Sequence, residues 1–153
     1  MASNAFKGGE KLQAHIRGMA QKLSAGKTLR VGFLETAKYP NGTNVAQVAF
    51  WNEYGTQDIP PRPFFRTLIA EKSSSWGRNL GVALTETNND TTKALLKVGA
   101  HINDQLTNSI RNFSSPGNAP STIAKKGFDK PLLDTGFMES EKGHSFDIQE
   151  GES

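Results

Sequence analysis

The side chains that most often carry out acid–base or metal chemistry are scattered in this 153-residue chain. Its three histidines, His15, His101 and His144, stand far apart, and none has neighbours at a spacing that completes a set of metal ligands. Asp104 follows His101 by three residues, a spacing typical of a pair on a helix surface. Neither a glycine-rich phosphate loop nor a nucleophile elbow is present. We therefore expect no catalytic residue, no metal and no cofactor.

One short motif, Leu-Leu followed by Asp134-Thr135-Gly136, does suggest catalysis. It resembles the active-site turn of dimeric aspartic proteases, in which two aspartates, one from each subunit, share a proton and activate water. That fold needs a β-barrel after the motif, and only residues 137–153 follow here. We expect Asp134 to accept backbone N–H bonds in a turn that Gly136 closes, and we keep the protease as an alternative.

A second group of charged side chains suggests binding. Glu53 precedes a proline-rich segment, and Arg62 and Arg66 lie within and just after it. An arginine guanidinium group meets a carboxylate through a fork of N–H donors, which fixes the direction of both groups. We predict that Glu53 pairs with Arg62 or Arg66, of the same or a neighbouring subunit. The alternative is a solvent-exposed pair that contributes little to stability.

The elements around these charges have clear local signals. A short helix is predicted to begin after Asn44, which can cap it, and to end at Gly55, which can close a helix with a positive φ. The segment Ile59-Pro60-Pro61-Arg62-Pro63 should be extended and stiff, because proline fixes φ and restricts the residue before it. A longer helix follows. Four nearby aromatic residues should fill the core or, alternatively, anchor an interface: Trp51, Tyr54, Phe64 and Phe65.

Two signatures in the chain resemble those of a known family. The first is Ala-Phe-Trp-Asn-Glu-Tyr-Gly-Thr at 49–56 with Ile-Pro-Pro-Arg-Pro-Phe-Phe at 59–65, and the second is Pro-Ser-Thr-Ile-Ala-Lys-Lys-Gly at 120–127 with Lys-Pro-Leu-Leu-Asp-Thr-Gly at 130–136. Both are similar to motifs of the tail-completion proteins of long-tailed bacteriophages, which are also called neck or tail-component proteins. The resemblance covers about Leu29 to Ile148. The chain departs from the family at Phe137–Glu141, which carries two acids and lacks an aliphatic residue after Ser140.

The resemblance implies a structural virion protein rather than an enzyme. The subunit would form a ring, most simply a hexamer, at the head–tail junction, where it would cap the tail and help join it to the capsid connector. Its partners would be further copies of itself and neighbouring neck, connector and tail proteins, including the terminator and the tail tube. It would assemble in the host cytoplasm and reside in the virion neck. Alternatives are a tail terminator, another connector adaptor, or a basic DNA-binding module.

Contacts between subunits or rings are expected at residues 55–66 and in the loop 114–130. A stiff proline segment would lose little entropy on docking, and a serine- and glycine-containing loop would supply reach. Three lysines in the loop could meet DNA in the ring lumen through non-specific phosphate contacts, or an acidic partner, or only water. The candidate interface residues are Glu53, Tyr54, Ile59, Pro60, Pro61, Arg62, Pro63, Phe64, Phe65, Arg66, Lys125, Lys126 and Lys130.

Composition agrees with a subunit of this kind. Apolar residues make up 35% of the chain, so the core should be thin and completed against neighbours. The net charge of +3 falls well short of that of a dedicated nucleic-acid binder. The absence of cysteine excludes disulfides and thiolate metal sites. No apolar run has the length of a membrane span, and the N-terminus lacks a signal-peptide pattern, so we expect no membrane partner.

The periodicity of apolar residues predicts a single α+β domain over residues 9–150, preceded by a flexible segment, 1–8. A small antiparallel sheet would pack with several amphipathic helices, and the extended loop 114–130 would become ordered on assembly. Gly99 and Ala100 would permit another helix to approach closely. The expected helices cover 9–25, 44–54, about 63–84 and 91–113, and the expected strands, which could pair, are 28–34 and 145–148.

Overall fold

The computed structural model describes residues 9–24, 26–133 and 136–151. The predictions of a flexible segment at 1–8 and of a turn around Asp134 lie outside these residues. The predicted α+β class is confirmed, with a two-stranded antiparallel sheet among helices. The elements in chain order are α1 (Gly9–Ser24), β1 (Lys27–Phe33), α2 (Val45–Tyr54), α3 (Phe64–Glu86), α4 (Thr91–Asn112), α5 (Pro120–Lys126) and β2 (His144–Glu150).

Helices α3 and α4 pack together and form the centre of the molecule. Asp90 caps α4, because its side chain accepts a hydrogen bond from the Lys93 backbone N–H at 3.0 Å. Helix α4 carries an apolar stripe that is buried along most of the helix. Its buried members are Ala94, Leu95, Val98, Ile102, Leu106 and Ile110.

The sheet lies against α4. Strand β1 pairs antiparallel with β2, as expected, and the register places Leu29 opposite Ile148 and Val31 opposite Phe146. Directly opposite residues share a face, so these side chains form one apolar surface. A Cβ atom at Gly99 of α4 would overlap the Phe146 ring and lie 2.8 Å from Leu29 Cδ1. The close approach predicted at Gly99 is therefore present, but it is made by the sheet and not by another helix.

The remaining elements surround this centre unevenly. Helix α2 packs on the first part of α3. Val45, Ala49 and Phe64 form one core cluster with the C-terminal half of α4. Helix α5 was not predicted; it ends at Gly127, whose φ of 83° and ψ of 0° give the left-handed cap typical of glycine. Helix α1 is present as predicted, yet two of its apolar residues are uncovered: Leu12 is 51% and Ile16 is 50% exposed. Within the described residues, no helix combines the length and hydrophobicity needed to cross a membrane.

Candidate interaction surface

Glu53 joins the end of α2 to the start of α3. Its side chain is buried, and its carboxylate accepts hydrogen bonds from the backbone N–H groups of Phe65 at 2.9 Å and Arg66 at 3.0 Å. Arg66 Nε also donates to Glu53 Oε1 at 2.8 Å, and a second Arg66 nitrogen donates to the Glu53 carbonyl oxygen at 3.0 Å. The carboxylate thus satisfies free N–H groups in the first turn of α3, where negative charge is favoured. The predicted pair is confirmed as Glu53–Arg66, within one chain.

Arg62 takes a different set of partners. It is 8% exposed, and its guanidinium donates to the carbonyl oxygens of Pro116 and Gly117 and to Asn52 Oδ1, each at 3.2 Å. Burial lowers the pKa of Arg62, and the nearby Asp129 carboxylate opposes this shift. The side chain therefore ties the loop that follows α4 to the end of α2. It is a fixed structural link in the subunit.

The proline segment folds back across the end of α2. Gly55 has a positive φ of 78°, as predicted, but its ψ of 172° is extended rather than left-handed helical. A Cβ atom there would lie 2.8 Å from the Ile59 carbonyl oxygen and 2.9 Å from Pro61 N, so glycine is required by the close approach. The Thr56 N–H donates to the Ile59 carbonyl oxygen at 2.9 Å. The segment is thus held against its own subunit and does not project as a free arm.

This arrangement turns the aromatic residues of α2 outward. Phe50, Trp51 and Tyr54 are 58%, 37% and 52% exposed, whereas Val45 and Ala49 on the inner side are buried. The rings of Phe50 and Tyr54 lie 4.7 Å apart, and the Arg66 guanidinium lies 4.7 Å above the Tyr54 ring. Tryptophan, tyrosine and arginine are the residues that most often dominate binding energy at protein interfaces. We call Phe50, Trp51, Tyr54 and Arg66 the aromatic patch.

The structure distributes the predicted interface residues between interior and surface, and their contacts with other subunits stay predictions. Phe50 was not among them, although its position four residues before Tyr54 places it on the same side of α2. Buried within the chain are Glu53, Arg62 and Phe64; partly buried are Ile59, Pro63, Phe65 and Lys126; exposed are Tyr54, Pro60, Pro61, Arg66, Lys125 and Lys130.

The loop 114–130 makes several contacts within the subunit, and its ordering on assembly stays a prediction. Besides its bonds to Arg62, it is closed by Asp129, whose Oδ1 accepts from the Asn118 N–H at 3.0 Å. Lys126 donates to the Lys130 carbonyl oxygen at 2.9 Å and lies 5.0 Å from the centre of the Phe128 ring. Lys125 and Lys130 are exposed. The predicted contact of these lysines with DNA stays a prediction.

The histidines singled out for chemistry form no metal site within the described residues. His144 is fully buried, with Nδ1 2.7 Å from Asn103 Oδ1 and Nε2 3.1 Å from both Thr107 Oγ1 and the Glu139 carbonyl oxygen. Burial lowers the pKa of His144. In the described part of the chain, no three His, Asp or Glu side chains are grouped so that they could hold a metal ion. Asp134 lies outside the described residues.

Comparisons of the chain with protein-family models, with curated proteins and with solved structures each found no match.

Proposed function

We propose that this chain is a structural virion protein of a tailed bacteriophage, a tail-completion or neck subunit that forms a ring at the head–tail junction. The observation that carries the proposal is the exposed aromatic patch, together with the contacts of Glu53 and Arg66 that fix its position. A cluster of this composition, exposed on a rigid element, is suited to binding another protein. Capping the tail and joining it to the capsid connector require binding of this kind, without chemistry at the subunit.

The first signature supports the proposal because it contains the three aromatic residues of the patch and the residues that hold the patch in place. Glu53 caps α3 and fixes Arg66 beside Tyr54, while Gly55 allows the proline segment to fold back. Arg62 then connects this region with the loop after α4. The resemblance to tail-completion proteins therefore rests on residues that have a joint structural task here.

The second signature lies on the far side of the same connection. The loop that Arg62 binds leads directly into α5, and Leu132, which follows it, is buried in the core cluster around Phe64. The two signatures thus belong to one packed region. In the proposed ring this region would face neighbouring subunits or the adjoining neck and tail proteins, with Lys125 and Lys130 available to a lumen. The expected location is the virion neck, after assembly in the host cytoplasm.

The test is the presence and position of the chain in particles made by the genome that encodes it. Cryo-electron microscopy should show a ring of this subunit at the neck, with Trp51 and Tyr54 covered by a neighbouring protein. A double variant, Trp51→Ala with Tyr54→Ala, should yield separate heads and tails. Val82→Ala, at an exposed position on α3 outside the patch, serves as the matched control. Normal joined particles from a genome lacking the gene would refute the proposal.

A further inference from the structure

Besides the aromatic patch, two further apolar surfaces are uncovered in the described part of the chain, and they differ in shape. The first is convex: Leu12, Ile16 and Met19 follow one side of α1 at intervals of four and three residues, which we call the α1 stripe. Leu12 and Ile16 are each about half exposed. The charged residues Glu10, Lys11 and Arg17 fall on other sides of the helix, because each residue turns the helix by about 100°.

The second surface is concave. A groove of about 480 Å³ runs between β1 and α3, with α4 as its floor. Its walls include Leu29 on β1 and Ile69 and Leu80 on α3, and its floor includes Val98 and Ile102. All of the described residues that line it are apolar side chains or glycine. Trp76, which also lines the groove, already donates its indole N–H to Gln105 Oε1 at 2.8 Å. An uncharged groove of this kind is suited to an apolar helix face and poorly suited to a charged ligand.

The dimensions of the two surfaces agree. The groove follows α3 from Phe65 to Leu80, which at a rise of about 1.5 Å per residue is roughly 22 Å. Helix α1, with its 16 residues, is about 24 Å long. Helix α1 as a whole is therefore matched to the groove in length. Its stripe, which from Leu12 to Met19 is about 10 Å long, is matched to the groove in polarity.

The structure places α1 outside the groove of its own chain. The described residues of α1 contribute nothing to the groove lining; Gln21 instead borders a polar hollow beside the turn between α3 and α4. We propose that α1 docks through its stripe into the groove of a second copy of the chain. The proposal deepens the proposed function, because it names the surfaces through which ring subunits meet.

The area covered favours a closed assembly over a simple pair. A helix about 24 Å long and about 10 Å wide has a lateral surface of about 750 Å², of which a groove would cover roughly half. That is about half of the ~800 Å² that each partner covers in a stable interface. The helix and the groove are different surfaces, so a head-to-tail ring lets each subunit use both. The total then reaches about 750 Å² for each subunit, and closing the ring stabilises contacts that are weak singly.

Two matched variants test the contact by sedimentation or light scattering over a range of concentrations. Ile16→Asp alters the stripe and Ile69→Asp alters the groove, both at exposed positions that should leave folding intact. Each should weaken self-association by at least about tenfold, because an apolar contact is replaced by a buried carboxylate. Val82→Asp makes the same chemical change at an exposed position outside both surfaces and should associate like the wild type. Mixing the two variants leaves one intact helix and one intact groove for each pair, so a one-to-one heterodimer should form, but only at higher concentration than the wild-type assembly.

Cross-linking decides which surfaces meet, and the chain offers a cysteine-free background. A mixture of Ile16→Cys and Ile69→Cys chains should form a disulfide-linked heterodimer under mild oxidation. Equal homodimer formation by Ile16→Cys alone would refute the proposal in favour of pairing between α1 helices. An internal disulfide in the double-cysteine chain without any intermolecular product would refute it in favour of folding back onto its own groove. A wild type that stays monomeric throughout would also refute it, but would leave ring formation on other neck proteins untouched.

Discussion

Removing the charge of Glu53 should separate the two roles that its carboxylate combines. In Glu53→Gln, one amide oxygen replaces two carboxylate oxygens that accept from the Phe65 and Arg66 N–H groups and from Arg66 Nε. The new amide nitrogen is a donor and cannot serve any of these three groups. The side chain is 7% exposed, so water does not replace the lost acceptor.

The magnitude follows from the two kinds of partner. Loss of the cap on the first turn of α3 should cost about 1–2 kcal/mol, as for other N-terminal caps. The ion pair should add only about 0.5–1 kcal/mol, because the Arg66 side chain is 52% exposed and screened by solvent. We expect the free energy of unfolding to fall by about 1.5–3 kcal/mol, a loss of roughly 3–12 °C in Tm for a domain of this size.

The assay is urea unfolding at neutral pH, at a concentration where the chain is monomeric, since association would shift the midpoint. Arg66→Gln is the matched control: it removes the ion pair and leaves the cap, so it should cost only about 0.5–1 kcal/mol. Equal losses in the two variants would refute the reasoning, because the exposed pair would then account for the whole effect.

Three further changes give outcomes of different kinds. Arg62→Met leaves three oxygen acceptors without their charged donor, so it should destabilise by about 3 kcal/mol and speed hydrogen exchange of the Asn118 amide in the loop that Arg62 holds. Gly99→Ala should destabilise by about 1–2 kcal/mol in urea unfolding despite its better helix propensity, because the methyl group meets Phe146 and Leu29, whereas Gly81→Ala in open space on α3 should stabilise by about 0.5–1 kcal/mol. His144 has a lowered pKa in the fold, so its neutral form is favoured there and the unfolded chain binds the proton more tightly. Stability should therefore be full above the unfolded pKa of about 6.5 and fall as pH drops below it, and unfolding at pH 7.5 and 5.5 should show a slope that His144→Gln reduces. A pH slope unchanged in that variant, or equal effects of the two glycine substitutions, would contradict the corresponding prediction.

Local features such as helix caps and apolar stripes could be predicted from the sequence, but the distant elements that pack against them could not. The caps Asn44 and Asp90 could be found in the sequence, because each side chain accepts a hydrogen bond from the backbone N–H only three residues later. The stripe of α4 was equally visible in the periodicity of its apolar residues. Gly99 predicted that another element packs closely against α4. Whether that element is a helix or a strand depends on β2, which lies more than forty residues later in the chain.

The candidate site shows the same division. The sequence allowed Glu53 to pair with either Arg62 or Arg66. The pairing depends on the carbonyl oxygens of Pro116 and Gly117, which bind Arg62 and lie 54 and 55 residues away from it in the sequence. These distant acceptors occupy Arg62, and Arg66 remains for the carboxylate. Helix α5 was not predicted because it has no apolar periodicity. None of its residues is buried, so no such periodicity is needed. The outward position of Trp51 follows from which side of α2 packs, which depends on the tertiary arrangement.

The pairing of β1 with β2 has a consequence for how the chain is made. Lys27 pairs with Glu150, so the sheet joins two segments that lie more than a hundred residues apart in the sequence. During synthesis β1 leaves the ribosome before helices α2 to α5 and has no strand partner until residues 144–150 have emerged, whereas α3 and α4 are neighbours in sequence and can pack first. Until β2 has emerged, Leu29, Val31 and the surface around Gly99 lack its cover. A message or protein cut short before residue 144 would therefore yield a chain whose helices can pack but whose central apolar face stays exposed to aggregation.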